Sequence, residues 1–337
     1  MKARVLLAFL SVWFLPVNTA VAQTLIRAGH LPNVTHGQAL LGRANGAFEK
    51  ALAPQARVQW KAFNAGPAVI EALFAGELDI AYVGPSPAIT AYVRSRGDAL
   101  RVIAGAASGG AALVVRADSG IHKPEDFHGK RVASPQFGNT QDIALRDWLG
   151  KHGLKPRERG GDVQITPIAN PDQLTLFLRK QLDAAWAPDP WAARLVHEAG
   201  GKLLVDERNE WPNGQFASTL VIVGRKFLGQ HPDLVKRWLE VHVDLTNSIN
   251  ANKAEAKRQI NAEIARETGK ALSSEVIDDA FSRLDFTVDP VRSSVEIAAR
   301  RAADLGLLGG RPPEVAGLFD LTLLNQVLRE KHLKVVQ

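Results

Sequence analysis

The 337-residue chain contains no cysteine and a single methionine, Met1. Without a thiol there is no disulfide, no thiolate nucleophile and no lipid anchor through an N-terminal cysteine. Beyond residue 22 no apolar run approaches the roughly 20 residues that a membrane-spanning helix needs. Nor is there a basic run. The net charge of +6, or +4 without Lys2 and Arg4, comes from bases interspersed with acids, as in "KAEAKR" at 253–258. No basic stripe interleaves with aromatics, which argues against nucleic acid as a partner. Enzyme signatures are missing too. No Walker loop is present, no Gly-x-Gly-x-x-Gly follows a strand, and Ser86 lies in Gly-Pro-Ser-Pro rather than a Gly-x-Ser-x-Gly elbow. His30 and His36 lack a helical metal-ligand spacing, so neither a metal nor a cofactor is expected.

What is present reads as a globular, exported protein. Hydrophobic residues make up 46% of the chain and charged residues 23%, with seven tryptophans and thirteen phenylalanines. That composition supports a sizeable core, and the length suggests two domains. Lys2 and Arg4, an apolar run from Val5 to Leu15, and Ala20-Val21-Ala22 form the three regions of a cleaved secretory signal over 1–22. The mature chain then starts near Gln23. An exported chain with neither cysteine nor anchor fits a bacterial periplasm.

Short apolar strands alternate with amphipathic helices. Strands are expected at Leu25–Ala28, Val58–Phe63, Leu78–Val83 and Arg101–Ala104, with helices over Gln38–Leu52 and Pro67–Phe74 between them. A second set follows at Ala112–Val115, Arg131–Ser134, Val163–Ile168, Leu182–Trp186 and Lys202–Val205. From about residue 227 the pattern is helical. Alternation of this kind predicts an α/β fold with largely parallel pairing. A weak repeat marks two halves: "ELDIAYVGPSPA" (77–88) and "QLDAAWAPDPWA" (181–192) share Leu-Asp, Ala-aromatic and Pro-x-Pro. Both turns would fall at carboxyl ends of strands, where ligands bind in open α/β sheets.

The richest polar stretch is Gly138-Asn139-Thr140-Gln141-Asp142, read as a helix start. Asn139 suits an N-cap, and Asp142 three residues on resembles a capping box. Thr140 and Gln141 exceed what capping needs. Free N–H groups at a helix start offer an anion site without a cation. Gly66-Pro67 and Gly84-Pro85-Ser86-Pro87 open two other helices, and Ser108-Gly109-Gly110 exposes backbone N–H groups after a strand. Trp186 and Asp189 add an aromatic wall and a carboxylate, or else a core tryptophan and a helix cap.

Four stretches, "GHLPNVTH" (29–36), "FNAGPAVIEALFAGELDIAYVGPSP" (63–87), "DSGIHKPEDFHGKRVASPQFGNTQD" (118–142) and "LDAAWAPDPW" (182–191), resemble the substrate-binding proteins of ABC importers in the aliphatic sulfonate, taurine and nitrate group. The resemblance runs from Thr24 to about Leu324. It implies a two-lobed type II periplasmic-binding fold: two mixed sheets flanked by helices, with a ligand cleft between the lobes. Residues 23–108 and 218–337 would form lobe I, carrying the C-terminal helices, and 109–217 lobe II, with crossovers near Ser108–Ala112 and Ala217–Leu220. The implied pocket comprises Leu31, Pro32 and Asn33, the Pro67 and Ser86 turns, Ser108–Gly110, Gly138–Gln141, and Trp186 with Asp189. The implied function is non-enzymatic: a monomeric receptor delivering a small organic anion, favoured as an aliphatic sulfonate, to an inner-membrane ABC permease. Ala187-Pro188 between Trp and Asp-Pro is closer to nitrate and bicarbonate relatives. Those anions, or a thiamine-precursor pyrimidine, are the alternative ligands. Pyrimidine synthases share the fold, but their cysteine-rich stretch has no counterpart in a chain without cysteine.

Overall fold

A computed structural model describes residues 23–309 and 313–337; the signal segment at 1–22 lies outside the described residues. The strands are β1 (Thr24–His30), β2 (Ala56–Ala62), β3 (Ile80–Val83), β4 (Leu100–Gly109), β5 (Ala111–Arg116), β6 (Arg131–Ser134), β7 (Gln164–Pro167), β8 (Ala184–Pro188), β9 (Gly201–Asp206), β10 (Ala217–Gly224) and β11 (Leu284–Phe286). They form two sheets, a six-stranded one ordered β11-β4-β10-β3-β1-β2 and a five-stranded one ordered β7-β6-β8-β5-β9. Each sheet defines a lobe. Both sheets are mixed: β1 runs parallel to β2 and β3, and β6 to β7 and β8. β10 is antiparallel to β3 and β4, as β5 is to β8 and β9. No helix among the described residues is long and apolar enough to cross a membrane.

The two sheets repeat one plan. Setting β11 aside, the orders β4-β10-β3-β1-β2 and β9-β5-β8-β6-β7 superpose strand for strand in direction. The Leu-Asp of the sequence repeat accounts for a shared brace. Asp79 accepts from the Arg27 N–H, Nε and Nη2 at 2.8, 2.9 and 2.7 Å. Asp183 accepts from the same three groups of Arg131 at 2.9, 3.0 and 2.8 Å. Each carboxylate pins the start of β3 or β8 to its parallel neighbour. Preceding each is the same helix ending, in which Gly76 and Lys180 take left-handed φ values of 71° and 59°. Glu77 and Gln181 then donate backwards to the carbonyls of Ala72 and Leu176, both at 2.8 Å, as in a Schellman ending.

Two differences from the sequence reading have physical causes. β4 extends five residues beyond Ala104, through "GAASG". These small residues have weak strand propensity, but β10 and β11 supply ladder partners on both sides. A Cβ on Gly105 would overlap the Asp289 carbonyl, so a glycine is required where that segment crosses. β10 is a buried strand at the centre of its sheet, where the sequence reading has only a crossover. The second connection between lobes is instead the 207–216 segment just before it, and the first is Gly109-Gly110, with φ of 79° and 72°. The expected Gln38–Leu52 helix is broken at Gly46, whose φ is 67°.

Candidate functional site

The carboxyl ends of β1, β3, β6 and β8 carry the turns singled out in the sequence, and these meet along the seam between the lobes. The helix Pro85–Arg94 starts from the six-stranded lobe, and Thr140–Lys151 from the other. The Ser86 N–H approaches the Thr140 hydroxyl at 3.4 Å. A Cβ on Gly84 would overlap that same hydroxyl, so the absent side chain lets the two helix starts come together. The Ser86 hydroxyl is buried and has no hydrogen-bond partner among the described residues. Pro85 and Pro87 remove two of the donors that a helix start normally offers, which leaves the Ser86 side chain as the conspicuous free group. Gly66 lies against the Asn139 carboxamide across the same seam.

Ser86 and Thr140 line a small cavity of about 10 Å³, with Ile143, Glu207, Trp211 and Arg301 among its other walls. That is room for about one water. Glu207 comes from the 207–216 connection and was not anticipated from sequence, because an acid in a Glu-Arg-Asn-Glu run reads as exposed. It is fully buried, accepting from the indole N–H of Trp186 at 2.7 Å and of Trp211 at 3.3 Å. Burial pushes its carboxyl up to about 7, against the opposing pull of those two indoles. The Arg301 guanidinium stacks on Trp211 at 4.0 Å from the ring centroid and also pairs with Asp147. The cavity thus presents two hydroxyls, a guanidinium and an acid that holds its proton near neutrality.

The remaining candidates spread along the seam rather than into one pocket. Pro67 and Gly138 line an open groove of about 670 Å³ on one side. Pro32 and Asn33 line one of about 260 Å³ on the other, where the Trp191 indole donates to Asn33 at 2.9 Å across the lobes. Leu31, Asn139 and Gln141 are buried and line neither groove, and Asn139 donates to the Gln141 carboxamide at 3.4 Å. Asn139 occupies the N-cap position but makes no side-chain cap bond. Asp142 departs from the capping-box geometry. It accepts from Gly138 N–H and the Ser134 hydroxyl at 2.9 and 2.7 Å, and pairs with Arg146 at 3.0 Å. Ser108 accepts from the Phe216 N–H at 3.2 Å, and Gly109 and Gly110 pack on Arg283 and Leu284. These three belong to the connection between sheets.

Trp186 and Asp189 stand elsewhere. Trp186 is fully buried in the core of the five-stranded lobe, 6.2 Å from Trp148 between ring centroids. It meets the cavity only through Glu207. Asp189 precedes Pro190, the N-cap of the helix Trp191–His197; it accepts from Ala193 N–H in the first turn at 3.1 Å and takes a two-pronged ion pair from Arg283 at 2.8 and 2.9 Å. Arg283 precedes β11 of the other lobe, so the pair bridges the seam. Sequence reasoning could not find this partner 94 residues away. Among the described residues no cluster of three or more metal-binding side chains forms. His30 instead pairs with Glu267 at 2.8 Å.

The two-lobed architecture is shared with solved binding proteins. One is the alkanesulfonate-binding protein SsuA of Xanthomonas axonopodis pv. citri, bound to MOPS, with a TM-score of 0.71 at 22% identity over 87% of this chain and 96% of that one. Another is the nitrate-binding protein NrtA of Synechocystis PCC 6803, with a TM-score of 0.76 at 13% identity, covering 92% and 89%. In sequence, the chain is 31% identical over 199 residues to the taurine-binding periplasmic protein of Escherichia coli K12. That match spans 58% of this chain and 59% of the relative, under two thirds of its length. Residues 20–265 match the NMT1-like family model. The chain belongs to the NMT1-like family.

Proposed function

We propose that this protein is a periplasmic solute receptor that captures a small organic anion, an aliphatic sulfonate, and delivers it to an ABC-type permease in the inner membrane. It works as a monomer, by binding and not by turnover. The observation that carries this reading is the buried, unpartnered Ser86 hydroxyl, set against Thr140 where helix starts from the two lobes meet. A buried donor without a partner costs free energy that an anionic acceptor recovers. Arg301 adds positive charge, and a protonated Glu207 adds no repulsion. The likeness to a taurine-binding periplasmic protein supports the sulfonate and the compartment.

Because the cavity holds about one water, a sulfonate enters only if the lobes part. Gly109-Gly110 and the 207–216 connection serve as the hinges of a chain divided into 23–108, 109–217 and 218–337. Calorimetry against ethanesulfonate, nitrate, bicarbonate and an aminopyrimidine tests the reading, with scattering to follow closure. Ethanesulfonate should bind, reduce the radius of gyration, and lose about tenfold in affinity with Ser86→Ala. Silence toward every anion, or full-strength binding by Ser86→Ala, would reject it.

A further inference from the structure

We propose that Glu207 meets the anion as a carboxylic acid, donating its O–H to an anion oxygen, so that each capture takes one proton into the seam. The inference rests on the receptor reading above and names the group that makes capture respond to pH.

Glu207 opens the 207–216 connection between the lobes, is fully buried, and lines the cavity together with Ser86 and Thr140. Its two oxygens accept from different indoles, Oε2 from Trp186 and Oε1 from Trp211. An indole N–H only donates, so the pair fixes the carboxyl in place and brings no full positive charge to it. Among the described residues no cation lies within ion-pair distance of Glu207. Arg301, from the helix Arg292–Asp304, shares the cavity wall but is committed elsewhere: it stacks on Trp211, pairs with Asp147 at 3.1 Å and donates to the Glu210 carbonyl at 2.7 Å. The neighbouring Asp206 adds negative charge. A buried acid in these surroundings keeps its proton, and burial pushes this carboxyl up to about 7. In that form its O–H is a third hydroxyl on the cavity, beside those of Ser86 and Thr140. An anion seated there meets donors, whereas an ionised Glu207 would repel it. The anion's own charge raises the proton affinity of the carboxyl further. Linkage is reciprocal, so protons tighten capture by the same factor. Solvent supplies the proton, which forms the O–H bond of Glu207. No bond of the ligand changes, since a sulfonate is too strong an acid to take that proton itself.

The test is calorimetry of ethanesulfonate on the whole mature chain at about pH 8, in phosphate and in Tris. The two buffers differ in ionisation heat, so the comparison counts protons taken up, and for wild type it needs no variant. Wild type should take up close to one proton per ligand, and its affinity should fall by up to about tenfold per pH unit above about 7. Glu207→Gln keeps a donor that does not titrate. It should take up no proton and hold one affinity from about pH 6 to about pH 9. Wild-type binding without proton uptake overturns the donor role and leaves the receptor reading standing. Uptake that persists in Glu207→Gln overturns it as well, because another group would then carry the proton. Absence of ethanesulfonate binding at every pH overturns the receptor reading and the donor role with it.

Discussion

Asp79 and Asp183 occupy one position in two lobes and make the same three bonds to an arginine on the neighbouring strand. A few residues further on, the two halves diverge. The Pro-x-Pro turn after β3 carries Ser86, whose hydroxyl has no partner among the described residues; the turn after β8 carries Asp189, which has three bonds, two of them from the opposite lobe. One frame therefore supports two opposite outcomes, a hydroxyl left without a partner among the described residues and a carboxylate spent on holding the lobes together. The backbone plan is set where Leu-Asp meets the parallel strand. What differs is the side chain that each turn projects into the seam.

Asp189→Ala gives the sharpest test of that contrast. It removes the two-pronged partner of Arg283 and leaves that buried guanidinium only Asp279, and chemical denaturation should show a loss of about 3 kcal/mol. Arg283→Met in the same chain should recover part of it. A loss no larger than for a surface pair would mean that the bridge between lobes is solvated. Asp79→Ala and Asp183→Ala should each cost about 2–3 kcal/mol, through three charge-assisted bonds to a partly exposed arginine. The Asp183 loss should exceed the Asp79 loss by about 0.5 kcal/mol, because Asp183 also pairs with Arg116 at 3.3 Å.

Acidity separates the regions with opposite signs. Burial alone would raise the Asp183 carboxyl, but its bonds from Arg131 outweigh this and hold it below its usual value. Its contribution is present above the unfolded-state value and is lost as pH falls through the folded one. Glu207 is raised, so its buried neutral form contributes most below its ordinary value of 4.5, and that contribution is lost as pH rises to about 7. Glu207→Gln should flatten the stability profile between those limits, and it should also remove a decline in sulfonate affinity above about pH 7. An unchanged profile would mean that Glu207 titrates as an exposed acid. The smallest effects are expected at the paired helix ends. Gly76→Lys should cost about 1 kcal/mol, since its surroundings are open and only the left-handed φ resists a side chain. Lys180→Gly should gain a similar amount, less the surface pair with Asp118, which contributes little. Loss of stability in Lys180→Gly would mean that the pair outweighs the backbone term.

Much of the frame was legible in the order of residues. Alternating apolar runs placed β6 to the residue and most other strands within two or three, because buried strands of an α/β sheet are written as local hydrophobic stretches. The Leu-Asp/Pro-x-Pro repeat marked the two halves, and Gly84, Ser86, Gly138 and Thr140 were legible as turn chemistry at helix starts. By itself, then, the sequence determined the alternation, the repeat and the kinds of group at each strand end. Only the tertiary structure decided which of those groups were already taken. Asp189 is consumed by Arg283, Trp186 by its own core, and Asp142 by Arg146, whereas Ser86 is left over and Glu207 is brought in from a connection that reads as surface. β10 and the far half of β4 were likewise settled by their neighbours, since ladder bonds on both edges override weak local propensity. The reason is common to all of these. Whether a polar group is free to meet a ligand depends on partners dozens of residues away, and local spacing carries no information about them.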